Sequence, residues 1–395
     1  MTTGSLRGHL DARFEPLRAV LEDSLASGAD RGLSVVVDVD GRTLVDVHGG
    51  FADAAGNRPW ERDTIVNVWS TTKTVTSLAV LMLADRGLVD LDAPVARYWP
   101  EFAAQGKEDV LVRQLMGHTS GVAGWNAPFA FDEMYDLERS TAALAAQAPW
   151  WEPGTASGYH ALSFGHLLGE IVRRVTGKSL KRFVDDEIAG PLGADFQIGA
   201  READWGRCAE IIPPPPLPFD LAALDPNSVL VKVATGPAAD ATAPNTTPWR
   251  LAEIGAANGH GNARSVADIM SVISLGGSTG GSTGGSTGRA DTGHRVRLLQ
   301  PATIEQIFRE QAHGIDLFLG VPLRFGIGYG LAEPVGVPFM PEGNVCFWGG
   351  WGGSLIIMDT DRRTTISYIM NKMQPGLVGS DVAAGYLKTI YELLG

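Results

Sequence analysis

Cysteine is almost missing from this chain. Its 395 residues include 2, Cys208 and Cys346, too few and too far apart for a disulfide framework and in no metal-ligand spacing. Long apolar runs are missing too: the longest, such as Leu78 to Ala84, fall far short of a membrane span. Met1 to Leu17 is interrupted by Arg7, Asp11, Arg13 and Glu15, so it has no apolar secretion-signal segment, and a cytoplasmic protein is expected. Basic residues are outnumbered, 32 against 45 acidic, and the formal net charge of -13 argues against nucleic acid or an anionic membrane surface as partner. No His-Glu-x-x-His or comparable spacing occurs, so neither metal nor cofactor is expected.

What is present suits a soluble enzyme. Apolar residues make up 44% and charged residues 19%, enough to bury a sizeable core. Phe14, Leu17, Val20, Leu21 and Leu25 recur at helical spacing between Asp11 and Leu25. Leu33 to Val39 and Arg42 to Val47 flank Asp40-Gly41, a two-residue turn whose positions both tolerate positive φ, which predicts a hairpin. The far end runs in reverse order: Ser354 to Met358 and Thr364 to Met370 read as strands, and Val382 to Leu394 as a closing helix. One antiparallel sheet drawn from both ends, covered by the terminal helices, is the simplest assembly.

The middle is richer in helix. Thr71 to Arg86 reads as a buried helix stopped by Gly87, and Leu162 to Val175 as another ending at Gly177. Pro213 to Pro216 reads as a short polyproline strut. Gly276 to Gly288 repeats Gly-Gly-Ser-Thr and reads as a mobile surface loop. The expected class is α/β (α+β). A discontinuous α/β part takes 1–90 and 290–395, a mostly helical part 91–275, and the flexible loop 276–288.

Ser70-Thr71-Thr72-Lys73 is the only Ser-x-x-Lys in the chain. It follows an apolar run and opens a helix, which would place Ser70 where developing negative charge is stabilised. A spacing of three puts Lys73 on the same face as Ser70, and burial would lower its pKa enough for a neutral amine to act as a base. Alone, the motif reads more readily as a capping serine with a surface lysine. Other segments follow in order: Leu115 to Gly121, with His118-Thr119-Ser120-Gly121; Gly158-Tyr159-His160-Ala161; Phe325 to Tyr329; and Trp348-Gly349-Gly350-Trp351-Gly352-Gly353-Ser354 running into a strand.

This ordered set, from about Leu33 onward, closely resembles the serine β-lactamase-like superfamily. Within it the chain is most similar to the family VIII carboxylesterases, relatives of class C β-lactamases. The resemblance implies a β-lactamase/penicillin-binding-protein-like fold with Ser70 as nucleophile and Lys73 as its base. Tyr159 would share the base role and protonate the leaving group, and the backbone N–H groups of Ser70 and Trp351 would form the oxyanion hole. Trp348, Gly349, Gly350, His160 and Trp125 are candidate substrate contacts. The implied activity is hydrolysis of small, short-chain carboxylic esters through an acyl-enzyme.

Two departures bear on the substrate. Trp348-Gly349-Gly350 stands where β-lactamases carry Lys-Thr-Gly or Lys-Ser-Gly, replacing a cation with an apolar wall. Ala161 stands where class C enzymes carry Asn, which is expected to weaken hydrogen-bond support for Lys73. An amide or β-lactam hydrolase using the same site, and a non-catalytic binding protein of this fold, remain alternatives. So does a Ser-His-Asp triad drawing on His118 or His160. Gly276-Gly277-Ser278-Thr279-Gly280 and its repeats match Gly-x-Ser-x-Gly, but without the strand before and helix after that such an elbow needs. Gly326-Ile327-Gly328 reads as a strand, not as part of a dinucleotide fingerprint.

Overall fold

The computed structural model describes residues 5–216, 221–279 and 296–395. Nine strands form one antiparallel sheet: β1 (Arg7–Leu10), β2 (Gly32–Val39), β3 (Arg42–Gly50), β7 (Ala312–Ile315), β8 (Pro322–Phe325), β9 (Gly330–Leu331), β10 (Val345–Gly349), β11 (Leu355–Asp359) and β12 (Thr364–Met370). Their order is β1-β3-β2-β12-β11-β10-β9-β8-β7. β2 and β3 turn at Asp40 and Gly41, both at positive φ (50° and 79°), as the Asp-Gly pair predicts. β12 then pairs with β2 from Leu33 to Val39, joining the two ends of the chain in one sheet.

The helices Glu15–Ser27 and Asp381–Leu394 pack together on one face. Leu17 and Leu21 of the first and Leu387 and Ile390 of the last are buried there with Val35, Val37 and Ile357 of the sheet. Each such side chain removed from water contributes roughly 1.5–3 kcal/mol. The helix Ala263–Ser274, expected in the helical middle, instead lies on the sheet against β2, β11 and β12, because Val266, Ile269, Met270 and Ile273 form one apolar face.

The helix Thr72–Asp85 is the centre of the other half. It is buried almost throughout and packs against Ser163–Thr176, whose C-cap Gly177 has φ 75°. Beside it β4 (Val66–Asn67), β5 (Gln197–Ile198) and β6 (Gly259–Gly261) form a three-stranded sheet in the order β4-β6-β5.

Two expectations are corrected. Phe325 ends β8, but Gly326 to Tyr329 is a bend, not strand: Gly328 has φ 86°, and a Cβ there would press on Ser77. The opening of the Gly/Ser/Thr tract is packed, with Ser278 and Thr279 buried and Ser278 bridged to Arg297. The rest of that tract lies outside the described residues. Among the described residues no helix is long and apolar enough to cross a membrane.

Candidate active site

Ser70 lies between β4 and the buried helix. The helix proper starts at Thr72, and Ser70 sits in the 3₁₀ turn Trp69–Thr71 that precedes it. Trp69 has φ 48°, a conformation a bulky residue adopts only when its surroundings impose it. Its ring is held between Trp249 (5.5 Å) and Trp351 (5.1 Å), and its carbonyl accepts the Thr72 hydroxyl at 2.5 Å. The backbone is thereby bent so that Ser70 stays half-buried while its neighbours Trp69 and Thr71 are fully inside.

Lys73 is 2% exposed. Its Nζ lies 3.0 Å from Ser70 Oγ, 2.7 Å from the Ala161 carbonyl and 2.9 Å from the Ala256 carbonyl. Burial pushes its pKa well below the usual 10.5. The rings of Tyr159 (4.7 Å) and Phe164 (5.9 Å) favour the cation weakly, and burial outweighs them. A neutral amine fits the three partners: two N–H groups meet the two carbonyls, and the lone pair faces the Ser70 hydroxyl. The support expected to weaken at Ala161 comes instead from that residue's backbone carbonyl, which no side-chain change removes.

The second carbonyl depends on a loop absent from the sequence-level candidates. Asn258, wholly buried, accepts the Ile254 N–H through Oδ1 and donates through Nδ2 to the carbonyls of Trp249 and Ala252. Thr76 donates to the Gly255 carbonyl (2.6 Å), and Thr72 accepts the Gly259 N–H (2.8 Å). The Ser70 helix thus grips both ends of the turn that presents Ala256.

Tyr159 is buried beside this pair. Burial raises its phenol pKa, while the Ser70 hydroxyl and the Trp348 indole pull it partly back. Trp348 Nε1–H donates to the phenol oxygen at 2.9 Å. His118 fixes the neighbouring backbone: its carbonyl accepts the Gly158 N–H (3.0 Å) and its Nδ1 accepts the His160 N–H (3.1 Å). Burial holds its imidazole neutral, well below the usual range.

His160 Nδ1 meets the Gly158 carbonyl and Nε2 the Ser120 hydroxyl, both at 2.7 Å, and burial lowers its pKa to about 4. Both ring nitrogens are therefore engaged, and the ring is not presented to a ligand. Trp125 is likewise 1% exposed, stacked on Phe129 and donating to the Ser140 carbonyl. These two expected substrate contacts are core residues. Ser70 Oγ faces Lys73, and no histidine completes a Ser-His-Asp triad with it among the described residues.

Trp348 and Gly349 end β10, so the glycine-rich segment is a strand exit, and the following turn returns the chain to β11. Ser354 ties this turn to the Ser70 segment: its hydroxyl donates to the Val68 carbonyl (2.9 Å) and lies 3.1 Å from the Thr71 hydroxyl. A Cβ on Gly350 would collide with both the Val68 carbonyl and Ser354. Among the described residues neither the Ser70 N–H nor the Trp351 N–H meets a backbone or side-chain acceptor. Of the Gly-x-Ser-x-Gly matches, Ser278 follows the helix Ala263–Ser274 instead of preceding one; the others fall outside the described residues.

The Beta-lactamase family profile matches residues 17–387. Esterase/beta-lactamase LipL of Mycobacterium tuberculosis is 34% identical over an alignment covering 98% of this chain and 87% of that protein. The crystal structure of a family VIII carboxylesterase superposes with a TM-score of 0.87 at 35% identity, covering 98% of this chain and 99% of that one. A penicillin-binding protein homolog from Caulobacter crescentus gives 0.86 at 32% identity, covering 98% and 99% respectively.

Proposed function

The chain belongs to the Beta-lactamase family, and we propose that within it the protein is a serine carboxylesterase acting through a Ser70 acyl-enzyme. The observation that carries this reading is the contact of a buried lysine, which has no acidic partner among the described residues, with the Ser70 hydroxyl at 3.0 Å. Neutral Lys73 takes the Ser70 proton as the oxygen attacks the ester carbonyl. The carbonyl oxygen becomes negative facing the N–H groups of Ser70 and Trp351. Tyr159, beside both, donates a proton to the departing alcohol as the C–O bond breaks, and Lys73 restores it. Water then attacks the acyl-enzyme by the reverse proton route and releases the acid.

The names of the relatives support an ester: LipL is an esterase/beta-lactamase and the superposed structure a carboxylesterase. A neutral substrate fits this reading, since an uncharged Trp348, buried with its indole N–H on the Tyr159 phenol, stands where a lysine would hold an anion. Short acyl chains and a cytoplasmic location belong to the same proposal; two buried, unpaired cysteines agree with the latter.

Turnover of p-nitrophenyl butyrate beside nitrocefin tests the reading. Ester hydrolysis that vanishes in Ser70→Ala, with a fluorophosphonate adduct mapped to Ser70, is the expected result. A preference for nitrocefin would make the protein a β-lactam hydrolase. No adduct and no turnover would make it a binding protein of the same fold.

A further inference from the structure

Asp316 lies at the tip of the β7–β8 hairpin and is wholly buried. A single carboxylate oxygen, Oδ1, accepts three backbone N–H groups: Tyr159 at 3.1 Å, Phe318 at 3.0 Å and Leu319 at 2.9 Å. Nothing among the described residues donates to its Oδ2. The tip closes on itself through Asp316 N–H to the Val321 carbonyl and Gly320 N–H to the Asp316 carbonyl. It also grips the tyrosine segment a second time, where Leu317 N–H donates to the Ser157 carbonyl at 2.8 Å. The Phe318 ring then stacks on the Tyr159 ring, with centroids 6.2 Å apart and planes 18° apart. Residues far apart in the chain thus meet at the one N–H that sets where Tyr159 begins.

We propose that Asp316 is a positioning residue for Tyr159, holding the phenol where it reaches the leaving-group oxygen and so governing acylation by esters of poorly leaving alcohols. The inference rests on the esterase reading above. In acylation the Ser70 proton passes to Lys73 and the Tyr159 proton to the departing oxygen. The C–O bond breaks, a neutral alcohol leaves, and Lys73 returns a proton to the phenol. An aliphatic alkoxide needs that proton as the bond breaks, whereas p-nitrophenolate leaves without it. An error in the phenol's place is therefore felt by one ester and not by the other. The negative charge of Asp316 adds to burial in keeping the phenol protonated, which suits a donor. Three N–H groups on one oxygen require an oxygen and no charge, so an amide should serve in the same place.

The test compares kcat/KM, which reports acylation, for the ethyl and p-nitrophenyl esters of one acid. Asp316→Ala is expected to lower the ethyl-ester value on the order of a hundredfold, the size of a general-acid contribution, and the p-nitrophenyl value by less than about threefold. Asp316→Asn should recover most of the ethyl-ester rate. If the alanine variant does not fold, Asp316→Glu keeps the charge, moves the oxygen, and should show the same selective loss. Equal losses on both esters, no loss on either, or an Asn variant as impaired as Ala would overturn the proposal. Amide hydrogen exchange at Tyr159, Phe318 and Leu319 separates the two readings. A wild-type chain that hydrolyses neither ester refutes the esterase. The clasp is then judged by exchange alone: faster in Ala and restored in Asn upholds it, unchanged exchange overturns it.

Discussion

At Ser70 and Lys73 the decisive quantity is where a proton rests. An ammonium and a neutral amine would occupy the same three contacts, but only the amine accepts from the hydroxyl, and burial without a carboxylate favours it. With Lys73 as the proposed base, activity is expected to rise with pH as it loses its proton, through an ionisation below 10.5. The raised Tyr159 pKa keeps the phenol protonated beyond pH 10, so no alkaline fall is expected before that. A pH profile of kcat/KM with an ethyl ester, whose alcohol needs the phenol proton, checks both limbs; with a p-nitrophenyl ester, which needs no proton from Tyr159, a rising limb that is lost in Tyr159→Phe would assign the base role to a phenolate. Lys73→Ala should reduce kcat/KM by about 10²–10⁴-fold. Lys73→Arg should not rescue it, because a guanidinium stays charged and has no lone pair to offer.

At the scale of elements, the site is the junction of three segments held by buried polar side chains. Ser354 ties the β10–β11 turn to the Ser70 segment, so Ser354→Ala should lower kcat about tenfold with little change in KM, as a loosened oxyanion donor would. A KM effect alone would show that the turn serves binding instead. Asn258 holds the turn that offers Ala256 to Lys73. Asn258→Ala leaves a buried N–H and two carbonyls without their partner, and a loss of about 3 kcal/mol in urea unfolding is expected. A loss under about 0.5 kcal/mol would mean that water replaces the amide. Ser-x-x-Lys and Tyr159 could be proposed from residue type, because few side chains suit that chemistry, and the folded chain brings them together. Ala256 and Ala161 act through carbonyls that every residue has, and no sequence pattern marks them.

Across the whole molecule, Asp30 joins the sheet to both terminal helices. Its carboxylate accepts the hydroxyls of Tyr368 (2.6 Å), Tyr386 (2.6 Å) and Ser24 (2.9 Å), and burial raises its pKa above the usual 3.8. The folded chain therefore binds this proton more tightly than the unfolded one, and the stability from this group falls as pH climbs through the raised value. Asp30→Asn removes that dependence. Urea unfolding should show the variant gaining on the wild type as pH climbs above 3.8; a constant difference would place the ionisation elsewhere.

The sheet joining the two chain ends was legible because each piece carries its own local signal. Asp40-Gly41 tolerates positive φ at both positions, and Thr364 to Met370 is a run rich in strand-forming residues. Ala263–Ser274 carries an apolar face, but a periodic face says only that something is covered, not which layer covers it. The burial of His160 and Trp125 was decided by packing in three dimensions, as were the backbone support of Lys73 and the arrival of Asp316 beside Tyr159. Local sequence determines backbone conformation and the supply of reactive side chains. Which carbonyls surround a lysine, and how dry it becomes, depends on segments separated by up to 183 residues, and only the folded chain brings them together.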